Sequence, residues 1–323
     1  MTENHLHTRP VRGLPLTELG IGGAQFGNLY VAHTDEEMAE TFDVAWAGGM
    51  RYIDTAPHYG VGSSEERLGE LLASKPREAF VLSTKVGRRL VSQDAAGAFD
   101  EPFQVPASRR REWDFSADGI RRSLEESLTR LGLDRVDIVY LHDAEDHWEQ
   151  ARRESLPALV DLRDQGVVRA IGAGMNFGDK LTELITGHDI DVVMCAGRYT
   201  LLEQDQALMT AALDYGVAVV VAGAYNSGLL ATARPGQESH YDYAPPPAPV
   251  LARARELAAI CESHSVSLPE AAVQFPLRHP AVAAVAVGMS TPAEVAETIE
   301  RYTADIPDQL WLDVAQLPPL KRG

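Results

Sequence analysis

The stretch RYIDTAPHYG, residues 51–60, decides how the chain is interpreted, because a short apolar run ends there in an acid and a turn. Asp54 closes the run, and Pro57 lacks the N–H donor that a strand ladder needs, so a strand is predicted over Arg51–Asp54. Tyr59 is then expected on the loop after the strand. In parallel α/β proteins the carboxyl ends of the strands carry the chemistry. The stretch therefore predicts two site residues, Asp54 and Tyr59.

Two further strand ends carry a titratable side chain. Lys85 closes the run FVLSTK, and His142 closes the run DIVYLH. Short continuous apolar runs recur along the chain, each followed by a helical pattern, and such runs are typical of strands buried on both faces of a parallel sheet. The other predicted strands are one inside Leu14–Gly27, then Phe80–Thr84, Val136–Leu141, Ala170–Ala173, Asp191–Ala196, Val217–Gly223 and Val282–Val287.

Eight strand–helix units in 323 residues predict a single (β/α)8 TIM barrel over residues 1–323, with an amino-terminal capping segment and long carboxyl-terminal-rim loops. An open doubly wound sheet is the alternative, but its glycine fingerprint fails, because Gln25 stands at the third glycine position. The polar segment Gly87–Asp114 is expected to be a long functional or mobile loop. The predicted helices are Asp35–Trp46, Ser64–Ala73, Ala117–Leu131, Leu156–Gln165, Lys180–Thr186, Gln204–Tyr215, Val250–His264, Leu268–Leu277 and Pro292–Tyr302.

Composition limits the partners. The formal net charge of −18 argues against nucleic acid and against an anionic membrane surface, because phosphate binding needs a basic stripe. Two cysteines, Cys195 and Cys261, are too few for a disulfide framework and favour a reducing cytoplasm. The first ten residues lack the apolar core of a signal peptide, and no apolar run is long enough to span a bilayer. We expect a cytoplasmic monomer or small homo-oligomer that acts on a small molecule.

Barrel topology would bring Asp54, Tyr59, Lys85 and His142 together on one rim. A tyrosine alone is a poor acid or base, with a free pKa of about 10. The ammonium of Lys85 is expected to lower the pKa of Tyr59, while Asp54 holds Lys85 charged and in place. His142 is expected to hydrogen-bond the substrate oxygen or the tyrosine. This set suits proton transfer at a carbonyl or alcohol oxygen while a hydride moves elsewhere; a structural Asp54–Lys85 salt bridge is the alternative.

These motifs resemble those of the aldo-keto reductases. The resemblance rests on RYIDTAPHYG, LSTK, DIVYLH, IGAG, VVVAGAYNSGLL and VGMSTPAEVAET, and it covers nearly the whole chain. It implies a nicotinamide cofactor at the carboxyl-terminal rim, with Tyr59 as general acid/base, Lys85 and Asp54 as its activating pair, and His142 as the substrate-orienting histidine. Within the family, the pattern is similar to bacterial NAD-dependent sugar 1-dehydrogenases, which implies oxidation of an aldose such as L-fucose or D-arabinose. Pyridoxal or another small aldehyde is the alternative substrate, and a non-catalytic cofactor-binding barrel is a second functional class.

Three positions depart from the family pattern. Many members have Ser-Asn where this chain has Gly174-Met175, Gln where it has Ala196, and a stacking Tyr where it has Ala222. Arg198, Tyr199, Tyr225 and Asn226 are nearby candidates to replace the missing contacts. The full set of expected cofactor residues is Asn176, Arg198, Tyr199, Gly223, Ala224, Tyr225, Asn226, Ser227, Leu229, Gly288, Met289, Ser290, Thr291, Glu294 and Thr298.

The resemblance also bears on the choice between NAD and NADP. NADP carries a 2′-phosphate, which sites that prefer it hold with Arg or Lys. In this family those cations lie at the start of the final barrel helix, where this chain has Glu294 and no cation. NAD is therefore the expected cofactor, with NADP still possible. The simpler alternative to a role in cofactor choice is that Glu294 only caps the amino terminus of the helix, where negative charge is favoured.

The remaining expectations concern the substrate pocket and metals. Gln25, Tyr30, His58 and Trp113 are the candidate pocket residues. The run HDAEDH, residues 142–147, is expected to be a solvated loop because its spacing fits no helical metal motif, so no metal is expected.

Overall fold

The central element of the fold is a closed barrel of parallel strands. The computed structural model describes residues 6–94, 96–242, 244–318 and 320, and within them eight strands close on one another. The first five residues lie outside the described residues. They are half of the stretch that is expected to lack the apolar core of a signal peptide. In chain order the strands are β1 (Thr8–Val11), β2 (Leu14–Thr17), β3 (Leu19–Gly22), β4 (Tyr52–Asp54), β5 (Val81–Val86), β6 (Arg88–Ser92), β7 (Arg109–Trp113), β8 (Ile138–His142), β9 (Ala170–Met175), β10 (Val192–Ala196), β11 (Ala218–Ala222) and β12 (Val282–Gly288).

The barrel runs β3-β4-β5-β8-β9-β10-β11-β12 and closes where β12 pairs with β3, so the predicted TIM barrel is confirmed. Because all eight strands point the same way, their carboxyl ends share one rim. The helices are α1 (Asp35–Ala47), α2 (Ser63–Leu72), α3 (Ala117–Leu131), α4 (Trp148–Gln150), α5 (Leu156–Asp164), α6 (Gly178–Gly187), α7 (Gln206–Tyr215), α8 (Ala248–Ser263), α9 (Leu268–Gln274), α10 (Pro292–Thr303) and α11 (Asp308–Ala315).

The amino-terminal capping segment is also confirmed. Strands β1 and β2 form an antiparallel hairpin, and their buried side chains join the cluster that fills the barrel interior. Arg9 of β1 donates hydrogen bonds to the carbonyl oxygens of Leu277 at 2.6 Å and Val282 at 2.7 Å. Val282 begins β12, so Arg9 ties the hairpin across the end of the barrel that is opposite the rim.

The loop predicted over Gly87–Asp114 is wrong in part. It contains the antiparallel pair β6 and β7, with Arg88 opposite Trp113 and Ser92 opposite Arg109. Neither strand is buried on one face, so the alternating pattern that reveals a strand in a sequence is missing. Helix α11 is not among the predicted helices; it packs against α8 and supplies Leu310 and Trp311 to a second core. The helix predicted from Leu156 is preceded by helical turns that begin at Trp148.

The register of β9 against β10 can be tested with two glycines. A Cβ added to buried Gly172 of β9 would lie 1.6 Å from the carbonyl oxygen of Val192, whereas one added to Gly187 of α6 meets nothing within 4 Å. We expect Gly172→Ala to lower the free energy of unfolding by about 3 kcal/mol or more. Gly187→Ala should be neutral or stabilising by up to about 1 kcal/mol. Urea unfolding of both variants measures this, and equal stabilities would contradict the register.

Candidate active site

The site is organised around the ammonium group of Lys85. Its Nζ donates to Asp54 Oδ2 at 2.5 Å, to the Tyr59 hydroxyl at 2.9 Å and to the backbone oxygen of Thr55 at 3.1 Å. Asp54 and Lys85 end or nearly end neighbouring strands, and both are only 2–3% exposed. Three acceptors match the three protons of an ammonium group, so the charge is satisfied although it is buried. The attraction of Asp54 and Tyr59 outweighs burial and raises the pKa of Lys85.

His142 completes the set predicted from the sequence. Its ring centroid lies 5.9 Å from that of Tyr59, and the two rings are nearly perpendicular. Burial, together with the cations of Arg88 and Lys85, holds the pKa of His142 well below its usual value. The imidazole is therefore neutral. Its Nδ1 atom is buried and has no hydrogen-bond partner among the described residues, which is the condition of a group that a ligand oxygen could satisfy.

The pKa of Tyr59 departs from the expectation. Burial raises it, Lys85 opposes that rise, and the carboxylates of Asp54 and Asp143 add to it. The effect of Lys85 has the predicted sign but burial is larger, so the net direction is upward. Tyr59 is a phenol at neutral pH in the free protein, with its oxygen already accepting a hydrogen bond from Lys85.

A chain of hydroxyl groups lies beneath Asp54 inside the barrel. Ser83 Oγ donates to Asp54 Oδ1 at 2.7 Å, the Tyr52 hydroxyl lies 3.1 Å from Ser83 Oγ, and the Tyr140 hydroxyl lies 3.3 Å from that of Tyr52. Both oxygens of Asp54 are therefore engaged, one by Ser83 and the other by Lys85. Sequence reasoning missed this chain. Its only signal was polar atoms within otherwise apolar strand runs.

The hairpin of β6 and β7 supplies two cations that the sequence analysis also missed. Arg88 forms an ion pair with Asp143, the residue after His142. Arg111 contacts His58 and forms a fork on Asp100. These contacts dock the hairpin against the rim beside Tyr59.

Two of the predicted pocket residues, His58 and Gln25, lie next to site residues. His58 is half-buried, with its ring 6.0 Å from Tyr59 and 5.5 Å from His142. A Cβ added to Gly288 would lie 3.3 Å from the Gln25 side chain, so Gln25 borders the end of β12.

The other two pocket residues lie further out. Trp113 is 44% exposed, is stacked on Phe115 and is covered by the guanidinium of Arg88. Tyr30 is 51% exposed, and its backbone N–H bonds to Pro102.

The predicted cofactor residues lie mainly on two adjacent loops, after β11 and after β12. Asn226 is buried with a left-handed φ of 47°, and its Oδ1 has no partner among the described residues. The Oε1 atom of Gln25, whose side chain borders Gly288 at the end of β12, is also without a partner among the described residues. Orphaned polar atoms at this edge of the rim fit the polar groups of a dinucleotide. Also on these loops are Gly223, Ala224, Ser227, Leu229, Met289, Ser290 and Thr291, with Thr298 buried on α10.

Thr291 is the N-cap of α10, and Glu294 in the first turn adds a second capping contact through its carboxylate. Its Oε2 accepts from the backbone N–H of Ser290 at 2.6 Å, and its own N–H donates to Thr291 Oγ1 at 3.2 Å. The side chain remains exposed. The capping alternative is thus present in the structure, and it is compatible with a second role toward a ligand.

Two of the expected replacement residues, Arg198 and Tyr199, are engaged elsewhere, whereas the buried hydroxyl of Tyr225 has no partner among the described residues. Arg198 donates to the backbone oxygen of Asn176 at 2.6 Å and pairs with the buried carboxylate of Glu203 at 3.1 Å. Asn176 and Arg198 line a cavity of about 820 Å³ that lies beside the ends of β9 and β10 and includes none of the four predicted catalytic residues. Tyr199 packs 5.5 Å from Phe275 and 5.6 Å from His279, and Tyr225 lies under Arg301 of α10.

Two kinds of feature are absent from the described residues, a metal-binding cluster and a membrane-spanning helix. No group of three or more His, Cys, Asp or Glu side chains is arranged to hold a metal ion there. In the same part of the chain, no helix has both the length and the apolar character needed to cross a membrane.

Comparisons with known proteins agree with this geometry. The model of the aldo/keto reductase family matches residues 18–317. The chain is 45% identical over 311 residues to a D-threo-aldose 1-dehydrogenase of Pseudomonas sp, covering 94% of each. It is 36% identical over 320 residues to a pyridoxal 4-dehydrogenase of Microbacterium luteolum, covering 93% of each. It is 30% identical over 315 residues to an L-galactose dehydrogenase of Arabidopsis thaliana, covering 94% of this chain and 89% of that protein.

A solved structure shares the fold. The aldo-keto reductase of Bacillus halodurans in its holo form superposes with a TM-score of 0.76 at 24% identity, covering 97% of this chain and 96% of that one. The closed barrel, the strand-end residues and the family match together show that this chain belongs to the aldo/keto reductase family and is a nicotinamide-dependent oxidoreductase.

Proposed function

We propose that the protein oxidises the anomeric hydroxyl of an aldose to the lactone, with NAD as the hydride acceptor. The observation that supports this most is the bonded series Asp54–Lys85–Tyr59 beside the unpartnered Nδ1 of His142. Full-length similarity to an aldose 1-dehydrogenase supports the substrate class.

Tyr59 is the proposed general base. The phenol first loses its proton to solvent, and Lys85 stabilises the resulting phenolate through the 2.9 Å hydrogen bond. The phenolate oxygen then takes the proton of the C1 hydroxyl as the C1–O bond becomes a carbonyl. Asp54 keeps Lys85 cationic, which is the form that favours the phenolate. A bound nicotinamide would supply the acceptor for the hydride that leaves C1. In the reverse direction the phenol of Tyr59 returns the proton to the carbonyl oxygen.

His142 is the proposed orienting group. As a neutral imidazole it can hydrogen-bond the substrate oxygen without competing with Tyr59 for the proton. Its ring lies 5.9 Å from that of Tyr59, which is close enough for both side chains to reach one substrate oxygen. The two side chains together define where the reacting oxygen sits.

The cofactor residues proposed here are those of the loops after β11 and β12. Asn226 and Gln25 offer unpartnered polar atoms, and Glu294 stands at the start of α10. Residues 288–298 contain no Lys or Arg, and the first cation further along α10, Arg301, pairs with Glu297 at 2.7 Å. A carboxylate without neighbouring cations repels a 2′-phosphate and can accept a hydrogen bond from a free ribose 2′-OH. This supports NAD over NADP.

A second candidate function is oxidation of pyridoxal. It is favoured by the similarity to a pyridoxal 4-dehydrogenase, and the same four residues would serve it. A non-catalytic barrel is disfavoured, because the buried charge pair and Tyr59 are intact.

Substrate class is tested by the absorbance of reduced nicotinamide during incubation with NAD and a panel of substrates. We expect turnover of L-fucose or D-arabinose and slower turnover of pyridoxal. Rapid turnover of pyridoxal with none of any aldose would replace the proposed function with the second candidate.

Catalysis by Tyr59 is tested by Tyr59→Phe. We expect turnover to fall by about 10² to 10⁴-fold, because general acid–base catalysis contributes that much, while the affinity for NAD measured by fluorescence stays unchanged. Tyr215→Phe is the control, since Tyr215 is 59% exposed at the end of α7. A Tyr59→Phe variant that keeps most of its activity would refute the assignment.

Cofactor preference is tested by kcat/KM for NAD and NADP in the wild type and in Glu294→Arg. We expect the wild type to prefer NAD and the variant to shift toward NADP, because a guanidinium replaces the repelling carboxylate. Glu294→Gln keeps an acceptor for the Ser290 N–H and separates loss of charge from loss of the helix cap. Glu300→Arg makes the same charge change at an exposed position further along α10 and should change nothing. A wild-type preference for NADP would end the proposal.

A further inference from the structure

Arg111 of the hairpin makes four hydrogen bonds, two to His58 and two to Asp100. Its Nε donates to His58 Nδ1, and its Nη2 donates to the backbone oxygen of His58 at 2.8 Å. Its Nη1 and Nη2 donate to the two carboxylate oxygens of Asp100 at 2.5 and 2.6 Å. The guanidinium is therefore clamped between the carboxylate and the residue that precedes Tyr59, and neither Arg111 nor Asp100 was singled out by the sequence.

The bond to Nδ1 decides where the imidazole of His58 carries its proton. An arginine can only donate, so Nδ1 must accept and cannot hold a hydrogen. In the neutral ring the hydrogen is then on Nε2, and the imidazolium form is excluded while Arg111 stays in place. Burial, with the cations of Arg88, Arg111 and Lys85, lowers the pKa of His58 to about 2. His58 is thus a hydrogen-bond donor that does not titrate in the working range of an enzyme.

The position of His58 puts this donor at the reacting centre. Its ring lies 5.5 Å from the ring of His142, 6.0 Å from that of Tyr59 and 5.4 Å from that of Phe103, perpendicular to the last. Phe103 belongs to the segment between β6 and β7 and is buried, so one side of the imidazole is fixed by packing. The ring is half-buried, and it borders the same space as the two groups proposed to hold the substrate oxygen.

We propose that His58 is a specificity-determining donor that binds a second oxygen of the substrate through Nε2–H, and that Arg111, held by Asp100, is the positioning residue that fixes this tautomer. The chemical class that it recognises is a hydroxyl or carbonyl oxygen next to the reacting carbon, as in a polyhydroxylated sugar. The substrate class rests on the proposed function, whereas the tautomer rests on the contacts of Arg111 alone.

The tautomer is tested without any substrate. Full-length protein labelled with ¹⁵N-histidine is titrated by long-range ¹H–¹⁵N NMR, and His58 is assigned with His58→Gln. We expect His58 of the wild type to stay in the Nε2–H form at every pH between about 5.5 and 9, because its pKa lies well below the free value of about 6.5. In Arg111→Met the pKa of His58 should rise, since a neighbouring cation is removed and Nδ1 is free to bind a proton, while burial and Arg88 still hold it below the free value. Arg110→Met, which removes the exposed neighbour that pairs with Glu112, should behave as the wild type.

Asp100→Asn provides a second variant if Arg111→Met does not fold. It leaves the guanidinium but removes the carboxylate that fixes it, so we expect a detectable population of the Nδ1–H tautomer of His58 beside the Nε2–H form. A wild-type His58 that titrates near its free value, or that carries its proton on Nδ1, would overturn the tautomer and the donor role together.

The donor role is tested by kinetics at saturating NAD. His58→Phe removes the N–H, and we expect KM for the aldose to rise about five- to tenfold, the worth of one hydrogen bond, while kcat changes less. His58→Gln keeps a side-chain N–H and should recover most of the loss. In Arg111→Met, kcat/KM should fall at low pH because His58 becomes protonated. The double variant of Arg111→Met with His58→Gln should not show this fall.

The kinetic and NMR measurements distinguish failure of the proposed substrate class from failure of the proposed role of His58. An unchanged KM in His58→Phe refutes the donor role even if the aldose is the substrate. Absence of turnover with every aldose, alongside the Nε2–H signal, refutes the proposed substrate and leaves the positioning of His58 by Arg111 supported.

Discussion

A lysine ammonium closed off from water is the constraint on which the rest of this structure depends. An isolated charge in such a place is strongly unfavourable, so Lys85 requires an anion and further acceptors within reach. The pairing of β4 with β5 supplies them, because it sets Asp54 opposite Ser83 and leaves Lys85 just beyond. Removal of either partner would leave an uncompensated charge. The register of β4 against β5 is therefore needed both to close the barrel and to keep Lys85 paired with Asp54.

Much of this arrangement could be predicted from the sequence, because it follows from where strands end. The position of Pro57 after Asp54, and the titratable residues that close two apolar runs, were enough to place Asp54, Lys85 and His142 on one rim. The hairpin of β6 and β7 was not predictable in the same way. It is held by its own pairing and by ion pairs of Arg88 and Arg111, and it has no apolar face that would mark its period.

Other features were missed because they depend on packing in three dimensions. The sign of the pKa shift of Tyr59 is an example: the neighbouring Lys85 was foreseen, but the degree of burial that outweighs it is a property of the closed barrel. The hydroxyl chain of Ser83, Tyr52 and Tyr140 is another, since only the barrel brings β4, β5 and β8 side by side with these side chains inward. A residue type in a sequence predicts a chemical capacity, and burial decides how that capacity is used.

The hairpin is separate from the barrel in a way that bears on how such a protein can diverge. The eight strands close without it, and the bonds among Asp54, Tyr59 and Lys85 involve none of its residues. Yet it places a guanidinium next to the residue that precedes Tyr59 and an aromatic ring beside it. Descendants of this chain could therefore lengthen, shorten or replace the insertion under selection for a new metabolite while inheriting the redox machinery intact, so that substrate choice and catalytic power would evolve on different segments of one gene.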